Sequence, residues 1–133
     1  MNIYLQYAHH THDEFEKISS AGSREVLEQF ESFDWAGEIE RAEQLQKVSP
    51  TLSVESNDKT LLIWVSGVKT SAKLQFISEC NYPGEVSSLF GLIKKQGIVS
   101  LDSQNFSIDQ AKQALTLFMN KDFETLKGLY SGA

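Results

Sequence analysis

The run Leu61-Leu62-Ile63-Trp64-Val65, LLIWV, is apolar at every position. A strand with one wet face alternates apolar and polar residues, whereas one shielded on both sides does not. The run therefore predicts a central strand, and its neighbours supply the flanks. Before it, Leu52 and Val54 alternate with Ser53 and Glu55, and Ser56-Asn57-Asp58 provides a turn. After it, Gly67-Val68-Lys69-Thr70 turns the chain. Leu74 and Phe76 then alternate with Lys73 and Gln75 in a third strand ending near Cys80. Strands joined by connections this short make an antiparallel meander over about residues 51–80. Asn2–Tyr7 adds an N-terminal strand, with Ile3, Leu5 and Tyr7 on one face.

The segments on either side follow the helical period. Thr11 and Glu14 have capping-box spacing and predict a short helix through Phe15 and Ile18. Ser23 is placed to cap a helix with Val26, Leu27, Phe30 and Phe33 inward. Asp34 is placed to cap another, with Trp35, Ile39, Ala42 and Leu45 inward and Glu40, Gln44 and Lys47 outward, closed by Pro50. Beyond the meander, Pro83-Gly84 is expected to break the sheet. Val86, Leu89, Phe90 and Ile93 then predict a helix stopped at Gly97, with a strand as the second choice because of Gly91. A last strand is expected over Ile98–Leu101. Ser107 and Gln110 form a second capping box, opening a helix through Ala111, Ala114, Leu115 and Phe118. Phe123, Leu126 and Leu129 form a final short helix. The fold class is α+β: an antiparallel sheet packed against N-terminal and C-terminal helices. A length of 133 residues suits one domain over 1–133.

Charge narrows the function. Between Asp13 and Glu43 lie ten acids and three bases, a local balance of −7 against −6 for the whole chain. Phosphates are held by Lys and Arg, so nucleic acid is not an expected partner; a basic protein is. Asp13, Glu14, Glu28, Glu31 and Glu40 are the candidate partner-binding residues. Trp64 and Tyr82 are candidate aromatic anchors, with the core the expected place for Trp64. No apolar stretch reaches the length of a membrane span, and the N-terminus lacks the basic start of a secretory signal. The lone Cys80 excludes an intramolecular disulfide. A cytoplasmic location is expected.

All three histidines fall in Ala8-His9-His10-Thr11-His12-Asp13-Glu14. His10 and His12 are the pair with which a metal site could begin. A zinc ion needs three or four ligands, and no spacing elsewhere supplies the rest, so no metal and no cofactor is expected. The competing readings are a strand-to-helix junction capped by Thr11 and a pH-responsive surface patch. No Gly-x-Ser-x-Gly, P-loop or Gly-x-Gly-x-x-Gly motif occurs, and Cys80 reads as a small buried hydrophobe. No catalytic residue is expected.

The segments FDWAGEIERAEQL (33–45), PTLSVES (50–56) and SIDQAKQALTLFMNKDFETLKGLYSG (107–132), with the meander between them, give the chain a family likeness. It resembles small cytoplasmic immunity proteins of bacterial toxin–immunity pairs, including contact-dependent inhibition systems. The resemblance implies a non-catalytic inhibitor that binds a cognate toxin domain, often a basic nuclease, and covers its active site. Two alternatives stay open. One is a small-molecule enzyme with an α+β pocket, using His or a carboxylate as acid and base. The other is an acidic secretion chaperone.

Overall fold

The computed structural model describes residues 1–11, 13–19, 21–46, 48–70, 73–88 and 93–132. Its strands are β1 (Asn2–Gln6), β2 (Glu16–Ile18), β3 (Thr51–Glu55), β4 (Leu62–Thr70), β5 (Lys73–Ser88) and β6 (Ile93–Phe106). Its helices are α1 (Ser23–Ser32), α2 (Trp35–Leu45), α3 (Ile108–Met119) and α4 (Phe123–Ser131). The six strands form one antiparallel sheet in the order β2-β1-β3-β4-β5-β6. The fold is α+β.

Period two assigns the two faces of this sheet. Ile3, Leu5, Leu52, Val54, Ile63, Val65, Phe76 and Cys80 point to one side and are buried. All four helices pack there. Phe30 of α1 and Trp35 of α2 meet Phe76 at ring separations of 5.5 and 5.0 Å. Tyr130 of α4 meets Phe106, and Phe123 stacks on Tyr82. From α3, Ala111, Ala114, Leu115 and Phe118 are buried in the same core. Gly67 allows α2 to approach β4. A Cβ there would lie 2.9 Å from the Trp35 ring and 3.0 Å from Ile39.

Two expected helices are replaced by strands. Glu14 does take the Thr11 N–H with its carboxylate, at 2.9 Å, and its own N–H reaches the Thr11 carbonyl. The chain then extends into β2 rather than coiling. A helix this short is costly to nucleate, while pairing with β1 sets Ile18 opposite Ile3. In place of the helix expected over Val86–Ile93, β5 and β6 stay paired as far as Ser88 and Ile93. Val86 pairs with Lys95, and Pro83-Gly84 lies within the ladder opposite Ile98 and Gly97. Leu89, Phe90 and Gly91 lie outside the described residues. Pro83 is tolerated because β4 stops at Leu62, opposite Asn81, leaving β5 with one neighbour beyond that point. The last strand is therefore much longer than Ile98–Leu101.

Smaller corrections concern caps. Gly22, not Ser23, caps α1, and its N–H is taken by Glu25 at 3.0 Å. Asp34 caps α2 as expected, accepting from Gly37. Leu45 is 48% exposed rather than inward. It is the last residue of α2, where Gln46 turns left-handed at φ 53°, and Val48 beyond the cap is buried instead. Ser107 caps α3 with the expected box, donating from its own N–H to Gln110 and accepting from the Gln110 N–H. A bulge in β6 between Ser103 and Phe106 resets the period, so that both face the core.

Candidate functional site

The acids picked from sequence are spread over three elements. Asp13 and Glu14 are exposed on the β1–β2 connection, Glu28 and Glu31 on α1, and Glu40 on α2. Two are already matched by cations. Arg24 Nε donates to Glu28 at 2.9 Å, and Lys112 of α3 pairs with Glu31. Glu40 borders a shallow depression whose rim also holds Lys69. The structure does not bring these five carboxylates together.

The histidine stretch is built into a tight turn. His10 is buried, its N–H donates to the Tyr7 carbonyl at 3.0 Å, and its Nδ1 accepts the Tyr7 N–H at 2.9 Å. An accepting Nδ1 carries no proton and is not free to bind a metal. His10 is thus a turn residue and not part of a surface patch; His12 lies outside the described residues. Among the described residues, no group of three or more His, Cys, Asp or Glu could hold a metal ion.

A carboxylate that sequence reasoning passed over, Glu38, closes the same corner. It is buried, with Oε1 accepting the Ala8 N–H at 2.9 Å and Oε2 accepting from Arg41 Nε at 2.8 Å. Arg41 also reaches Asp34 at 3.3 Å, so cap, base and buried acid form one chain of ion pairs. The signal was present: Glu38 lies three residues after Trp35 and next to Ile39, on the edge of the inward stripe. Both its oxygens are committed to structure. Burial pushes the Cys80 thiol up to about 12, which suppresses the reactive thiolate. Tyr130 is also raised by burial. Ser78 Oγ donates to the Trp64 carbonyl at 2.8 Å, so the Tyr130 hydroxyl, 2.6 Å away, is the donor to Ser78.

The opposite face of the sheet is where unmatched chemistry collects. No helix packs against it among the described residues. One row crosses all six strands in register: Lys17, Tyr4, Ser53, Trp64, Glu79 and Asp102. The next row holds Glu55, Leu62, Asn81 and Ser100. Trp64 is half-buried here rather than in the core, and Tyr82 is buried on the other side, which reverses the expected places of the two aromatics. Phe15, 51% exposed, meets Tyr4 edge to face at 5.1 Å. Tyr4, Phe15 and Leu62, with Gln6, Ser53 and Glu55, line a depression of about 380 Å³. Among the described residues no cation pairs with Glu55, Glu79 or Asp102, unlike Glu28, Glu31 and Glu38. Asn81 donates to Glu79 at 3.3 Å, and its buried Oδ1 has no hydrogen-bond partner among the described residues.

No helix is long and apolar enough to cross a membrane among the described residues. No family model, curated protein or solved structure matches the chain.

Proposed function

We propose that the protein is a non-catalytic immunity protein. It binds a cognate toxin domain, a basic protein such as a nuclease, and covers its cationic active site in the cytoplasm. The observation that carries this reading is the uncovered sheet face. Aromatic side chains on this face supply apolar contact, and carboxylates with no cation partner among the described residues supply charge complementarity. Most interface energy comes from a few such aromatic and charged anchors. The acid excess of the chain adds steering toward a basic partner and disfavours phosphate-bearing or anionic membrane surfaces. The ion-paired helix acids contribute to this field rather than to contact.

The test is neutralisation. The purified protein is mixed with the toxin domain encoded beside its own gene, and complex formation and toxin activity are followed. A one-to-one complex, loss of toxin activity and association that slows as salt rises are the expected result. Full toxin activity in the presence of excess protein, with no complex at micromolar concentration, would remove the reading.

A further inference from the structure

Within this reading, which the inference rests on, one part of the uncovered face is shaped for a particular side chain. The depression between β1, β3, β4 and the β1–β2 connection has two kinds of wall. Tyr4, Phe15 and Leu62 are apolar and aromatic, while Glu55, Gln6 and Ser53 carry acceptor oxygens. Its volume of about 380 Å³ is at the small end for ligand clefts, suited to one long side chain rather than to a cofactor. A cation already lies against one wall. Lys17 Nζ sits 5.8 Å from the Tyr4 ring centre, so the electron-rich ring already takes one cation from within the chain. Glu55 is half-buried and has no cation of its own among the described residues.

We infer that this depression receives one arginine side chain from the protein partner. The guanidinium stacks on the aromatic wall while its fork donates to Glu55, and its methylene stem lies along Leu62. Arginine fits better than lysine because a planar guanidinium can stack and make a two-pronged carboxylate contact together, which a point ammonium cannot. A phosphate or a carboxylate ligand would be repelled by Glu55, and none of the six lining residues is basic; Lys17, the neighbouring cation, is engaged with the Tyr4 ring.

The probes are the blocked peptides acetyl-Gly-Arg-Gly-amide, its lysine analogue and its citrulline analogue, which keeps arginine's shape without its charge. Binding is read as amide shift changes across the whole chain. The arginine peptide should saturate with a Kd on the order of millimolar, a few kcal/mol as suits one anchored side chain. Its shifts should centre on Tyr4, Phe15, Ser53, Glu55 and Leu62. The citrulline peptide and the Glu55→Gln variant should each weaken binding about fivefold or more, through loss of the charge-assisted contact. Glu55→Gln removes no described ion pair, so its fold is expected to persist; unchanged dispersion of the amide spectrum checks this. Shifts that gather on α1 near Glu28 and Glu31, no saturation, or equal binding of the lysine or citrulline peptide would overturn the assignment. Equal binding of a toxin domain to wild type and to Glu55→Gln would also overturn it while leaving neutralisation standing. Arginine capture at this face without any toxin binding would support the site and remove the immunity reading.

Discussion

The same strands present two surfaces that have solved different problems. On the covered face, Ile3, Leu52, Ile63, Phe76 and Phe106 are fully buried beneath four helices. Polar groups there are matched within the molecule, as Ser78 with Tyr130 and the Trp64 carbonyl. On the uncovered face, Tyr4, Trp64 and Leu62 remain half-buried and Phe15 and Ile98 are exposed, among carboxylates that no described cation neutralises. An antiparallel sheet can leave one face to water, but solvent alone does not call for aromatic rings in the middle of it. The contrast teaches that the groups that hold the fold together lie on one side of a single layer, and that the proposed recognition would use the other.

Substitutions on the two sides should therefore separate stability from binding. The largest contrast is between Phe76→Ala and Trp64→Ala. Phe76 touches Phe30 and Trp35, and its removal should cost about 3–5 kcal/mol by leaving a cavity. Trp64→Ala gives up only part of its apolar burial, roughly 1–2 kcal/mol, but should weaken partner binding. Denaturant titration of both variants checks this, and equal destabilisation would erase the distinction between the faces.

Carboxylates offer the second comparison. Glu38→Ala strands the Ala8 N–H and breaks the Arg41 pair, for an expected loss of about 2–3 kcal/mol. Glu55→Ala should stay within about 0.5 kcal/mol of wild type, as an ordinary surface change. Thermal melts of the two would show it; a Glu55 effect as large as that of Glu38 would mean that the open face is also structural.

A third pair lies inside the covered face. Ser78→Ala leaves the buried Tyr130 hydroxyl without its acceptor, costing about 1–3 kcal/mol, whereas Tyr130→Phe removes the donor and should cost nearer 1 kcal/mol. The reverse order would contradict the assigned direction of that hydrogen bond.

The smallest effect belongs to the β3–β4 turn. Hydrogen bonds from Ser56 and from the Thr60 hydroxyl and N–H hold the exposed Asp58 carboxyl down to about 2. Its unfolded value is near 4, so its contribution is present above pH 4 and disappears as pH falls through about 2. Asp58→Asn should flatten the stability of the protein between about pH 4 and 2 relative to wild type, measured by melts across that range.

How much of this was legible depended on whether local pattern and tertiary packing agreed. Leu52, Val54 and the LLIWV run gave the meander because alternation and turn residues pointed the same way. Asp34 and Ser107 cap their helices by spacing alone, whereas the Asp122 cap of the last helix was not foreseen. The paired strands over residues 82–88 and 93–99 were misread because Val86 and Ile93 also fit a helical stripe, and Pro83 and Gly84 ordinarily end strands. Only the position of β4, which leaves that edge open, makes room for them. Thr11 and Glu14 form the expected turn, yet the edge of β1 draws Glu16, Lys17 and Ile18 into a strand. The candidate partner-binding acids were taken from the stretch of greatest charge density: Asp13 and Glu14 on the β1–β2 connection, Glu28 and Glu31 on α1 and Glu40 on α2. Sequence cannot reveal that Arg24 and Lys112 already match Glu28 and Glu31, nor that Glu55, Glu79 and Asp102 share one face across strands distant in the chain.

Cys80 lies on β5 between β4 and β6, fully buried and with its thiol held protonated. An alkylating reagent added at mildly alkaline pH can reach that sulfur only when the layers part. Because it is the sole thiol in the chain, each modified molecule records one such parting. The labelling rate thus measures the free energy of opening the core under native conditions, without denaturant and without an added probe site. A partner docked on the far side of the sheet should slow that rate in proportion to how tightly it holds the closed form.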